Sequence, residues 1–443
     1  SDDVAAEVRA ALARDEDEAK KKQKKCETLD NYLEHCSNLK YLVNKGRPEV
    51  KKFLSYVARI ENSVRNIGQH ACGYVISKVP LYSYVPTTRL AKADGILIQY
   101  ESKVIESVGL VKMDLLGLRT LQIIDRTIKQ IQDHDGVLID VDDLPMEDTK
   151  TLELFGNAET KEVFQFESDG MRNYLKALKP SSIEDLVAMN ALYRPGPLAQ
   201  IPTYIKRKLG QEPVDYDIPE MESILKPTYG VTVYQEQVMR LSRLLAGFTP
   251  GQADKLRKAI GKKQEDVMEE MKGKFIKGAM AKGHPEQILV KIWDEWKEFA
   301  KYAFNRSHSA CYAYVAYQSG YLKAHYPCEY VAACLQAETE SKKLQVLGKE
   351  CVRMGITILP PDINRAKAEF SVEDKKIRYG LARIKGMSEM AINAIIEERE
   401  KKGDFQDIYD LVERLPQDVL GYRIFELLAY SGALDSISPP GKR

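Results

Sequence analysis

The sequence predicts a multidomain α+β chain that is mainly helical. Three observations lead there. Residues 118 to about 340 carry helical apolar patterns cut by cap and stop signals, residues 66–118 switch to short runs rich in Val, Ile and Tyr, and residues 341–443 mix the two. The chain has 443 residues, room for roughly two to four domains with cores of their own. Its 66 Lys and Arg nearly balance 65 Asp and Glu, so bulk charge selects no partner and only local clusters can. No apolar run approaches the roughly 20 residues that span a bilayer, so no membrane partner is expected. The opening "SDDVAAEVRAALARDEDE" is acidic and has no apolar centre, which excludes a secretion leader, and it lacks a starting Met, which suggests an excised fragment.

The elements follow in order. Residues 1–65 read as charged helix, with "RDEDEAKKKQKK" passing from an acidic to a basic block. In "RPEVKKFLSYVARI" Val50, Phe53, Leu54 and Val57 share a face that must pack on something. "HACGYVIS", "GILIQYES" and "VGLVKMDLL" read as three strands of one small, incomplete sheet. Ser181-Ser-Ile-Glu184 is a capping box opening a helix that stops before "RPGP" at 194–197. Thr249 is an N-cap followed by Pro250 at the first helical position, and Gly261 closes that helix. Residues 285–304 and 309–327 form two further helices, the second ended by Pro327. "ITILPPDIN" reads as strand and turn, and "RIKGMSEMAINAIIEERE" as helix, tight turn, helix. Cysteines at 26, 36, 72, 311, 328, 334 and 351 include no C-x-x-C pair. They read as reduced thiols, and the His308/Cys311 and His325/Cys328 spacings as core packing rather than metal binding.

Four constellations carry possible chemistry. Period two puts Lys112 and Asp114 on one strand face and Val111, Met113 and Leu115 on the other. A carboxylate beside an ammonium suits a metal-phosphate site, and equally suits an ion pair at a sheet edge. Asn305, Arg306, Ser307, His308 and Ser309 gather where a long helix begins, a place that favours anions, and Tyr312 lies on the His308 face. Lys255, Arg257, Lys258, Lys262 and Lys263 surround one acid, Asp254, near a helix end; by itself this is a solvated basic face. "KGMSEMAINAI" (385–395) has the look of a hairpin whose backbone N–H groups hold a nucleic-acid phosphate.

The segments "RNIGQHACGYVIS", "VGLVKMDLLGLRTL", "VFQFESDGM", "ALYRPGP", "PTYGVTVYQEQVM", "ADKLRKAIGKK", "FNRSHSACYAYVAYQSGYLKAHYP" and "ILPPDIN" occur in this order. In that order the chain resembles the C-family replicases, the catalytic alpha subunits of bacterial DNA polymerase III, from about residue 50 to about 435. "KMDLLGL" favours the alpha-subunit branch over the Gram-positive branch with an internal exonuclease.

The resemblance implies template-directed 5′-to-3′ DNA synthesis by two-metal phosphoryl transfer, in the cytoplasm. It implies a polymerase-beta-like palm on which three aspartates hold two Mg2+ ions. Asp114 matches the third aspartate, with Lys112 neutralising phosphate, and the other two are expected before residue 1. The 443 residues alone are therefore expected to be inactive. The implied domains are a thumb remainder (1–65), the C-terminal part of the palm (66–118), fingers (119–340) and a helix-hairpin-helix region (341–443). Arg257, Lys258, His308, Tyr312 and Arg172 match positions facing the incoming dNTP. Arg65, His70, Arg194, Gln235, Lys262, Lys263 and Lys385 match segments along primer-template DNA. The implied partners of the whole protein are the sliding clamp, through a segment expected past residue 443, and other replisome subunits. Ser388 departs from the family, which more often has a second Gly in the hairpin turn. A non-catalytic DNA-binding module and an unrelated metal-dependent phosphohydrolase are the competing readings; a lone acid in the sheet disfavours the latter.

Overall fold

The computed structural model describes residues 37–61, 63–64, 68–90, 95–262, 264–300 and 302–439, together with positions 4, 8 and 10. The predicted N-terminal charged helix falls mostly outside these residues. The chain divides into two compact units, 1–117 and 118–443, each described by itself.

In the first unit, α1 (Ser37–Lys45) and α2 (Pro48–Ile60) pack on each other. Pro48 suits a first helical turn, where its missing N–H is no loss. Val50 and Leu54 are buried against Leu39 and Leu42, and Phe53 packs beside them, as the apolar face requires. β1 (Gly73–Ile76) and β4 (Val111–Asp114) form one antiparallel pair, with Gly73 opposite Asp114 and Val75 opposite Lys112. β2 (Thr87–Thr88) and β3 (Leu97–Ile98) form another. The single three-stranded sheet expected from sequence is thus two two-stranded ones. The "GILIQYES" run is captured by the preceding segment: Gln99 donates from its backbone N–H to Pro86 O at 3.1 Å and from its amide to Thr87 O at 3.0 Å. Val85, Ile105 and Leu110 make a small core that Val75 joins. Tyr74, Ile76, Val111 and Met113, which occupy the other face of the β1–β4 pair, are exposed.

The second unit is built around α12 (Arg306–His325), which packs on α3 (Arg119–Asp135), α4 (Thr149–Gly156) and α6 (Ile183–Leu192). α4, α6 and α12, with α5 (Asp169–Leu178) and α7 (Ile201–Lys208), enclose one core containing Phe155, Phe166, Tyr204 and Tyr317. A second core belongs to α8 (Gln235–Ala246), α9 (Pro250–Lys262), α10 (Glu265–Met280) and α11 (Glu286–Ala300), centred on Phe275, Trp293 and Trp296. This lobe leaves and re-enters the first through adjacent backbone, since Tyr234 and Phe304 form a β-bridge and Gln235 N donates to Phe304 O at 2.9 Å. A third core joins α3 to α13 (Pro327–Ala337), α14 (Ser341–Arg353) and the sheet β5-β7-β6 (Ile358–Leu359, Lys376–Arg378, Ser371–Glu373). A fourth gathers α15 (Glu389–Lys402), α16 (Ile408–Arg414) and α17 (Tyr422–Ser431). No helix among the described residues is long and apolar enough to cross a membrane.

Several caps differ from the sequence reading. α6 starts after Ser182, without the Ser181–Glu184 box. Asp185 attracts Ser181, accepting from its N at 2.9 Å, and is itself buried against Lys208 at 2.8 Å. α9 opens as expected: Thr249 and Gln252 cap each other, and the helix runs through Gly261 to Lys262. The first helix of the 383–400 hairpin is only a 3-10 turn, Leu381–Arg383, before α15. Residues 285–304 straighten into a helix only to Ala300, because Phe304 is drawn into the Tyr234 bridge.

Glu338, at the end of α13, ties this unit together. It accepts from Thr339 N and Glu340 N and pairs with Arg119 at 2.8 Å. Burial alone pushes its carboxyl up, but these N–H groups and the guanidinium outweigh it and hold the pKa at about 2. The carboxylate's stabilisation is therefore complete above about pH 4.5 and lost as pH falls through about 2, and is on the order of 2–3 kcal/mol. Denaturant titrations between pH 6 and pH 2 should show Glu338→Gln less stable at the top of that range and converging on wild type at the bottom. A difference that stays constant with pH would contradict the assignment.

Candidate functional site

Two places hold the sequence-predicted site residues, one in each unit. In the first, Lys112 Nζ lies 2.9 and 3.1 Å from the two Asp114 oxygens. The hydrogen bond from Lys112 holds the Asp114 carboxyl below the usual carboxylate range. The two side chains share a face, as period two requires, but that face looks toward the small core while the apolar one is open. His70, which the resemblance assigns to the DNA path, stands beside Asp114. The turn "HACG" folds back so that His70 Nδ1 accepts from Gly73 N at 2.8 Å and Cys72 N at 3.3 Å. Cys72 Sγ is 3.7 Å from the same nitrogen. Only glycine fits at position 73: a Cβ there would stand 2.7 Å from Lys112 Cε, 2.8 Å from His70 Nδ1 and 3.1 Å from Asp114 Oδ1.

In the second unit, the expected anion site at the start of α12 is filled from within. Asn305 caps the helix by accepting from His308 N at 2.9 Å. Glu236, on α8, accepts from Arg306 N at 3.0 Å and from Asn305 Nδ2 at 2.8 Å, so a carboxylate already meets the dipole's positive end. Arg306 reaches both oxygens of Glu184 at 2.7 and 2.8 Å. His308 is exposed, as are Arg306 and Ser307 beside it. The His308 ring lies 4.3 Å from that of Tyr312, which stacks on Phe164 at 5.2 Å, and 5.3 Å from that of Phe304. Phe164 was not singled out from sequence; its loop approaches α12 only in the fold.

That loop is strained. Ala158, Glu162 and Gln165 all have positive φ, which non-glycine residues rarely adopt. Its carbonyls are held by distant donors: Arg172 Nε to Ala158 O at 2.8 Å, Lys323 Nζ to Glu159 O and Lys161 O at 2.8 and 2.7 Å, and Tyr330 Oη to Glu162 O at 2.6 Å. Arg172 also pairs with Asp169 at 3.3 Å.

On α9, Arg257 and Lys258 both turn to Asp254, at 2.9 and 2.8 Å, and hold its carboxyl low. Lys262 closes the helix, and Arg65 and Lys263 lie outside the described residues. Arg194 lies over Phe304 at 3.9 Å and donates to Ala191 O and Tyr302 O, so its guanidinium faces inward. Gln235 is buried at the start of α8. Lys385 is exposed beside Gly386, whose φ of +100° and closeness to Leu427 both demand glycine. Ser388, where a second glycine was expected, instead caps α15 by accepting from Ala391 N at 3.2 Å. His325 pairs with Asp148 at 2.9 Å and Cys328 is buried.

Among the described residues, Lys258 is exposed on α9, His308 is exposed at the start of α12, and Lys385 adjoins a glycine turn. Residues 3–117 match the bacterial DNA polymerase III alpha NTPase domain, 120–283 the bacterial DNA polymerase III alpha subunit finger domain, and 355–443 the helix-hairpin-helix motif. DNA polymerase III subunit alpha of Aquifex aeolicus is 44% identical over 418 residues, 92% of this chain and 36% of that protein. The Thermus aquaticus protein of the same name is 42% identical over 87% of this chain and 32% of its own length, and that of Escherichia coli K12 is 40% identical over 88% and 35%. The chain belongs to the bacterial DNA polymerase III alpha-subunit family, and it spans about a third of the length of the curated relatives it matches.

The Glu236 junction makes a direct prediction. Glu236→Ala should cost about 1–2 kcal/mol in denaturant unfolding, because the α12 start loses its partly buried acceptor. Glu236→Gln keeps one acceptor oxygen and should lose about half as much. Equal losses would mean that the retained acceptor oxygen contributes nothing, and a Gln variant as stable as wild type that charge at the helix start contributes nothing.

Proposed function

We propose that these residues supply the returning part of the palm, the fingers and a helix-hairpin-helix region to a bacterial replicative DNA polymerase that adds dNTPs to a primer on template DNA. The observation that carries the reading is Asp114, exposed on β4, paired with Lys112 at 2.9 Å and set opposite Gly73. The proposed domain limits are 1–65, 66–118, 119–340 and 341–443. Arg257, Lys258, His308, Tyr312 and Arg172 then meet the nucleotide. Lys385 and Lys262 touch DNA backbone, as point charges that position without reading sequence. A sliding clamp and other replisome subunits are the proposed partners of the whole protein.

Family chemistry implies Mg2+, which demands near-octahedral oxygen ligands. Among the described residues the Asp114 site offers one carboxylate, with an ammonium, an imidazole and a thiol around it. These do not fit magnesium by themselves. Further oxygen ligands must come from elsewhere in the whole polymerase, and Asp114 is proposed as one ligand of that larger set.

In the full-length polymerase, Asp114→Asn should abolish primer extension while duplex affinity, measured by fluorescence anisotropy, stays near wild type. The 443-residue chain, run beside it with magnesium, should match the no-enzyme control. Retention of more than about a tenth of the rate by the variant, a loss under roughly 1.4 kcal/mol, would remove Asp114 from the metal-ligand role.

His308→Ala and Arg257→Ala in the same protein should raise nucleotide KM and lower kcat together, since the triphosphate is bound before reaction and gains charge during it. Titration of nucleotide at saturating primer-template measures both. Wild-type constants in both variants would make Arg257 a solvated helix-end cation and His308 a packing residue of the aromatic stack.

A further inference from the structure

We propose that His70, Cys72 and Asp114 form a binding site for a borderline-soft divalent cation, zinc foremost. The donor atoms of the three residues all lie within 4.8 Å of one another. The His70 Nδ1 to Cys72 Sγ separation is 3.7 Å. Two ligands at tetrahedral angles, with Zn–N of about 2.0–2.1 Å and Zn–S of about 2.3 Å, stand about 3.6 Å apart. Thiolate, imidazole and carboxylate are the ligand types of zinc proteins, whereas magnesium selects oxygen alone. The mismatch with magnesium is thus a match with a softer ion.

The scaffold favours the same conclusion. The β1–β4 register fixes Gly73 opposite Asp114, where a Cβ would crowd the imidazole at 2.8 Å and the carboxylate at 3.1 Å; the Lys112 side chain, 2.7 Å from the same point, now fills the place a cation would take. Two existing contacts must yield. Lys112, now across the carboxylate with its side chain 19% exposed, must move off it toward solvent. The N–H groups of Cys72 and Gly73, now directed at Nδ1, lie in an exposed turn and pass to water. Cys72 releases its thiol proton to solvent as the metal–sulfur bond forms, so binding strengthens with pH. Three protein ligands leave a fourth position for water.

Cobalt(II) is the probe. Metal-free chain titrated with Co2+ should develop a near-ultraviolet sulfur-to-cobalt charge-transfer band that saturates at about one equivalent per chain. Zn2+ should bleach the band, and a large excess of Mg2+ should not. Cys72→Ser should abolish it. His70→Ala, Asp114→Asn and Gly73→Ala should each weaken affinity at least about tenfold, and Lys112→Ala should strengthen it by removing the competing ammonium. Far-ultraviolet circular dichroism checks that each variant keeps its fold, and because Lys112→Ala is expected to gain affinity, a folding defect cannot imitate it. No band, or an undiminished band in Cys72→Ser, would overturn the proposal. So would affinity indifferent to His70, Asp114 and Gly73. None of these readouts depends on polymerase activity, so they stand apart from the functional reading above.

Discussion

A single buried ammonium organises the second unit. Lys323 is almost wholly enclosed, yet its three N–H bonds are satisfied by Glu350 at 2.8 Å and by the carbonyls of Glu159 and Lys161. Burial raises the Glu350 carboxyl, but Arg353 and Lys323 together hold it at about 2. An uncompensated charge at this depth would cost several kcal/mol, so the geometry of all partners is tightly specified. Because Lys323 is on α12 and Glu350 on α14, two of the unit's cores are clamped to one loop. That loop bears three residues in left-handed conformations, strain that persists only where surroundings over-determine the backbone. Its Phe164 supports Tyr312, which supports His308. Solvent-exposed chemistry at the start of α12 thus rests on an interaction far down the same helix.

Much of the architecture could be read from the chain, because caps and periods are local. Thr249, Pro250 and Gln252 announce α9 within four residues, and Val50 and Leu54 announce the buried face of α2. The alternation around Lys112 and Asp114 gave their shared face correctly for the same reason. What failed was non-local. The start of α12 carries every sign of an anion site, and nothing nearby in sequence reveals that Glu236, seventy residues earlier, supplies the anion. Ser181 and Glu184 satisfy a capping-box spacing, but Lys208 pulls Asp185 into a buried pair and Arg306 takes Glu184.

The candidate site was legible in its carboxylate and not in its neighbours. Asp114 stood out because an acid in an apolar strand needs a reason. His70 and Cys72 gave no such signal: they sit about forty residues away, in a segment that reads as strand. Only the turn that aims Nδ1 back at Gly73 brings them to Asp114. Arg194 and Gln235 were placed along the DNA path only by the resemblance; in the fold the Arg194 guanidinium lies over Phe304 and donates to Tyr302 O, and Gln235 is buried.

The Tyr234–Phe304 bridge has a wider meaning. Between those two residues lies a helical lobe with its own aromatic core, and its entry and exit are neighbours in one β-bridge. An excursion that begins and ends at one point imposes no threading on the body it leaves. Such a segment is free to be lengthened, trimmed or swapped over evolutionary time while the host around α12 keeps its packing. The basic helix α9 is on this excursion and the aromatic stack is on the host. Divergence could therefore retune the charges on one without disturbing the rings on the other.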